Sequence, residues 1–128
     1  MKNITKIILP ITLVLFLASL SFGQSAADKS WGSFYAKFSA AVKAKNRSVI
    51  KSMTSKEFSD GGGGDTLMEW TRNVLDERNY WGEFYRILKN GTKTYNRNSR
   101  IKIRVTKDDQ FLFGYENGRW RFYGVMGD

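Results

Sequence analysis

The sequence predicts an α+β domain in which N-terminal helices pack on a C-terminal curved antiparallel β-sheet, a meander, behind a cleavable signal peptide. Three observations carry this. The stretch Phe111 to Val125, FLFGYENGRWRFYGV, alternates large apolar and other residues on both sides of Asn117-Gly118. Well before it, Trp31, Phe34, Tyr35, Phe38, Ala41 and Val42 recur at helical spacing. Helices first and strands afterwards argue for α+β rather than a parallel α/β fold.

The hairpin comes first in strength. Asn-Gly between two apolar-rich runs is the preferred two-residue type I′ turn, because both central residues need positive φ. Such a turn sets Glu116 opposite Arg119, Tyr115 opposite Trp120, Phe113 opposite Phe122 and Phe111 opposite Gly124. Alternation then puts Phe111, Phe113, Tyr115, Trp120 and Phe122 on one face. Leu112, Gly114, Glu116, Arg119, Arg121 and Tyr123 take the other. Five aromatics on one face demand a cover. Ile101, Ile103 and Val105 alternate with Lys102, Arg104 and Thr106 in the preceding segment. A three-residue loop at Lys107-Asp108-Asp109 sets Val105 opposite Phe111, Ile103 opposite Phe113 and Ile101 opposite Tyr115. That register keeps every apolar side chain on the covered face, and a one-residue slip would scramble it.

The first helix takes Ser30 or Asp28 as its N-cap after a loose leader from Gln24 to Lys29, and ends near Lys45-Asn46. A shorter helix with Val49, Ile50 and Met53 on one side follows, and Phe58 either starts a short strand or plugs the core. Ser59 to Asp65, SDGGGGD, is a loop, because four consecutive glycines lose much entropy on ordering. It reads as a flexible linker or a pocket lid. Thr66-Leu67-Met68-Glu69 has the capping-box pattern that opens a helix, with Leu67, Trp70, Val74 and Leu75 as its buried stripe. The phase carries on through Trp81, Tyr85 and Leu88, with Asn79 and Gly82 breaking it into two helices; Tyr80 to Leu88 also fits a strand. Lys89-Asn90-Gly91 is the stop, and the polar, basic run from Thr92 to Arg100 leads into the meander.

The chain of 128 residues suits one domain. Met1 to about Gly23 has the layout of a signal peptide: Lys2 and Lys6, the apolar run Ile7 to Leu20, then Ser21-Phe22-Gly23 with small residues at the inspected positions. An N-terminal membrane anchor is the alternative, but Pro10 and Thr12 weaken a run already short of the ~20 residues a span needs. Cleavage would leave residues 24–128 as the domain, secreted or periplasmic. The formal charge is +9, and loss of Lys2 and Lys6 with the leader lowers it to +7. Such an excess favours anionic surfaces without fixing a partner.

Composition excludes much catalysis. The chain has no His and no Cys, which removes His-based triads, His general bases, thiol nucleophiles and thiolate or imidazole metal sites. The carboxylate pairs Asp76-Glu77 and Asp108-Asp109 are sequence neighbours, which point apart on a helix or sit in a turn. Asp65-Thr66 stands where a phosphate loop needs Lys followed by Ser or Thr. Asp60 and Asp65 fall short of the ~6–8 oxygens that calcium takes. No catalytic residue, metal site or cofactor is therefore expected. Two candidate binding sets remain. Trp81, Tyr85, Tyr115 and Trp120 are candidate liners of a pocket between helices and sheet, since a buried O–H or N–H needs a partner; the ligand would be small and apolar or aromatic. Arg100, Lys102, Arg104, Arg119 and Arg121 form a basic sheet face for an anionic surface. Nucleic acid is the weaker partner, for want of an RNP-type motif, and a homodimer stays open.

Two pieces of the chain resemble a family. Phe34-x-x-x-Phe38 with Ala41-Val42, then Asn46, Val49 and Ile50, is similar to the opening helix pair of small exported NTF2-like (SnoaL-like, cystatin-like roll) domains. The FxF strand, the Asn-Gly turn, Trp120-Arg121-Phe122 and Gly124-Val125 resemble their closing hairpin. The resemblance covers about half of the chain left after cleavage. It implies helices in the concavity of a curved sheet with a cavity between them. Enzymes of that superfamily use Asp, His and Tyr arrangements there, and this chain has no His. The expectation is therefore a non-catalytic binding or accessory domain. The alternatives are a small enzyme with Tyr or carboxylate chemistry in the cavity and a peripheral module for anionic envelope surfaces.

Overall fold

A computed structural model of the chain describes residues 26–96 and 101–126, and for residues 96, 101 and 102 it describes the backbone alone. Residues 1–23, read from the sequence as a signal peptide, and Arg100 lie outside the described residues. Helix α1 spans 26–43, and α2 (Arg47–Ser52) leads into β1 (Thr54–Ser59). The glycine loop precedes α3 (Leu67–Trp70), which runs unbroken into a π-helical stretch, Thr71–Asp76. Then come α4 (Trp81–Asn90), β2 (Thr92–Asn96), β3 (Ile101–Thr106), β4 (Gln110–Glu116) and β5 (Arg119–Met126). The fold class is α+β as the sequence implies. Among the described residues no helix is long and apolar enough to cross a membrane.

One five-stranded sheet has the order β1-β5-β4-β3-β2. The meander β2 to β5 is antiparallel, and β1 joins its end parallel to β5. The sheet is thus mixed, with two strands beyond the three read from the sequence. Thr92–Asn96 is an edge strand rather than a lead-in; its Thr, Lys and Tyr alternate too weakly to announce it. The β3–β4 register holds throughout, with Ile101, Ile103 and Val105 opposite Tyr115, Phe113 and Phe111.

The β4–β5 register holds from the turn as far as Phe113 opposite Phe122 and then shifts, so that Phe111 faces Val125 instead of Gly124. Tyr123 is the extra residue of a β-bulge. Past the bulge Val125, not Gly124, shares the face of Phe111 and packs against the core. Gly124 takes φ 125°, and a Cβ there would stand 1.9 Å from the Ser59 carbonyl oxygen. Only a glycine lets β1 come this close to β5.

Helices α1 and α4 roof the apolar sheet face. Phe113 is fully buried and makes ring contacts with Trp31, Phe34, Tyr35 and Phe38 of α1, at centroid distances of 5.3–5.9 Å. Phe84 of α4 meets Phe111 at 4.5 Å and Phe122 at 5.9 Å. Helix α1 starts inside the segment read as a loose leader. Ala27 is buried, and its carbonyl accepts the Trp120 indole N–H at 2.8 Å, which ties the leader to β5. Val49, expected inward beside Ile50, is 37% exposed.

The capping box forms as its pattern predicts: the Thr66 hydroxyl accepts the Glu69 N–H at 3.2 Å. Asn79, at φ 53°, separates the π-helical stretch from α4, whereas Gly82 sits inside α4 and breaks nothing. Residues 81–90 are helical, which settles the helix-or-strand alternative. The break resets the phase: Trp81, Phe84, Ile87 and Leu88 are buried, and Tyr85 is half-buried.

Candidate functional site

The four aromatic candidates fall into two separate pairs. Tyr115 and Trp120 are cross-strand neighbours with ring centroids 5.4 Å apart. Trp81 and Tyr85 sit one turn apart on α4, and no ring contact among the described residues joins the pairs. Both indoles already donate within the chain, Trp120 to Ala27 and Trp81 to an Asp76 carboxylate oxygen at 2.9 Å. The Arg47 guanidinium stacks 5.6 Å from the Trp81 ring centroid, and the Lys43 ammonium sits 5.6 Å from that of Tyr85. None of the clefts described below is lined by these four side chains.

The basic residues also divide. Arg104 on β3 is exposed in a polar groove with Thr92, Thr94, Lys107 and Gln110. Across the sheet, Arg119 and Arg121 on β5 line a larger cleft of about 880 Å³. The backbone register sets Lys102, Gly114 and Arg121 in one row; the Lys102 side chain lies outside the described residues.

The larger cleft was only half legible. Its other walls are β1, the end of α2 and the glycine loop, which add Lys51, Lys56, Ser55, Gly64 and Asp65 to Arg119 and Arg121. Lys51 and Lys56 join because β1 pairs in parallel with β5, a contact that no local pattern encodes. Arg121 donates to the Ser52 carbonyl, so its guanidinium is held against α2. Glu57, Asp65 and Glu116 supply counter-charge in the same cleft, three acids against its four cations.

Tyr123 lies beside this cleft, and its ring fills the space where a Gly114 side chain would stand. Burial and then Glu116 push its phenol up to about 12. A phenol held there stays protonated at neutral pH and can donate a hydrogen bond but not act as a base. Among the described residues no cluster of three or more acidic side chains could hold a metal ion.

The glycine loop closes on Asp60. Its carboxylate accepts the N–H groups of Gly64 at 2.9 Å and Asp65 at 3.0 Å. The Asp65 bond foremost, with those of the loop glycines, holds the Asp60 carboxyl below the usual carboxylate range. Positive φ at Gly61, Gly62 and Gly64 makes this convergence available. The N–H groups of Gly64 and Asp65, which a phosphate would need, are turned onto the loop's own acid.

A second cleft, of about 560 Å³, adjoins the first and shares Lys51, Thr66 and Leu67 with it. It runs between α2 and α3 past Met68 to Arg47 and Asp76. Arg47 pairs with Asp76. That contact, followed by the Trp81 indole, holds the Asp76 carboxyl below its ordinary value.

The chain matches no known family model, no curated protein and no solved structure.

Proposed function

We propose that the chain is a non-catalytic, exported binding or accessory domain of NTF2-like type that holds an anionic partner in the cleft between β1, β5 and the glycine loop. The observation that carries the reading is the convergence of Lys51, Lys56, Arg119 and Arg121 on one cleft. Cations gathered in a concavity raise the local concentration of an anionic partner more than the same charges spread over a surface. The layout of the leader supports export, and the helix pair and closing hairpin support the NTF2-like assignment. Absence of His and Cys weighs against the small-enzyme alternative.

Salt-dependent retention tests this. The protein should bind heparin or anionic liposomes in dilute buffer and elute as salt rises and screening sets in. The pair Lys56→Glu and Arg119→Glu, both at exposed positions, should lower the eluting salt concentration clearly more than Arg104→Glu does. No retention even in dilute buffer, or equal effects of all three, would remove the proposal.

A further inference from the structure

We propose that the cleft between α2 and α3 is a binding site for a long-chain fatty acid, with the hydrocarbon along Leu67 and Met68 and the carboxylate between Lys51 and Arg72. The cleft adjoins the one assigned to the anionic partner and shares Lys51 with it, but the inference does not depend on that assignment.

The walls decide the body of the ligand. Leu67, Met68, the Thr71 methyl and the carbon stems of Arg47, Lys51 and Arg72 line the cleft, which makes its surface almost wholly apolar. Its volume, about 560 Å³, lies within the ~300–1,000 Å³ of small-molecule sites. Met68 is 69% exposed, the largest such exposure of a big apolar side chain among the described residues. The capping box holds it there, since it fixes the first turn of α3 against Thr66. Methionine is flexible and polarisable, which suits a wall that must follow a hydrocarbon chain.

Charge decides the head. Lys51 and Arg72 form no ion pair among the described residues. Asp76, the one acid of the lining, is already matched by Arg47 and by the Trp81 indole. The rim is therefore cationic over carbon walls. A sugar or nucleotide would set most of its hydroxyls and amides against carbon, with few polar partners in the lining, at a cost in desolvation. An uncharged hydrocarbon would leave the rim cations unused. One anionic head on a long chain answers both features.

The test uses laurate, dodecanol and butyrate, with calorimetry and the ¹³C-methyl signal of Met68, assigned by its loss in Met68→Leu. Laurate should bind saturably and shift that signal. Butyrate should bind far more weakly, since each buried methylene contributes roughly fourfold in affinity. Dodecanol should bind at least about tenfold more weakly than laurate. Met68→Glu, at an exposed position, should weaken laurate at least about tenfold with an unchanged melting temperature. Arg72→Gln should weaken laurate but not dodecanol. The proposal is overturned if laurate leaves the Met68 methyl unmoved, if Met68→Glu binds laurate as the parent does, or if butyrate or dodecanol matches laurate.

Discussion

Two glycines of β5 and its turn show how differently one residue type can be needed. Gly118 has φ 77° with open space around its Cα, so a side chain there meets backbone strain alone. Gly124 has φ 125° and the Ser59 backbone against it, so a side chain meets both strain and a clash. Gly118→Val should cost about 1–2 kcal/mol, the scale of a left-handed residue with a Cβ. Gly124→Ala, though the smaller change, should cost more, because β1 must move away from β5. Urea denaturation of the two variants checks the order, and an unchanged midpoint for Gly118→Val would contradict the turn.

At the scale of elements, α4 is the instructive case. Its apolar residues continue the stripe of α3 on paper, which favours Tyr85 as an inward side chain. The π-helical stretch and the left-handed Asn79 rotate the chain between the two helices, and Phe84 turns inward instead. Phe84→Ala should therefore cost about 3–5 kcal/mol, as cavities left by large core side chains do. Tyr85→Ala should cost clearly less, and chemical denaturation of the pair measures the difference. The meander and its register were legible because alternation and an Asn-Gly turn are local signals. Strand β1 was half legible, since Phe58 marks an apolar residue but a parallel partner 60-odd positions away leaves no local trace. The same blind spot hid Lys51 and Lys56 from the basic set, while Arg119 and Arg121 stood out on their hairpin.

At the scale of the whole molecule, the charges set a pH profile. Asp60 is held below its ordinary value by the Asp65 N–H, Asp76 by Arg47, and Glu83 by Arg86. Their folded values are depressed, so each contributes stability that is complete above about pH 4–5 and fades as pH falls through the folded value. Asp76 is exposed and Asp60 and Glu83 are half-buried, so solvent screens the effect and keeps it modest. Burial raises Tyr35, Tyr80 and Tyr123 in the folded state. That stability is complete below the ordinary Tyr value near ~10 and is lost as pH rises beyond it. With no His, no side chain of ordinary pKa titrates between. The melting temperature should form a plateau from about pH 5 to about pH 9 and fall on both sides. A step near pH 6–7 would contradict this.

Strand β5 lies between β1 and β4, so it alone bridges the two halves of the sheet. A ribosome delivers it after everything it must join. Until then β1 has no neighbour, α1 lacks Trp120 and Phe122 beneath it, and the aromatic surfaces of the earlier elements stay unmatched. The nascent chain is thus held open until its closing segment arrives. A truncation just before Arg119 should therefore give a protease-sensitive chain rather than a smaller folded one.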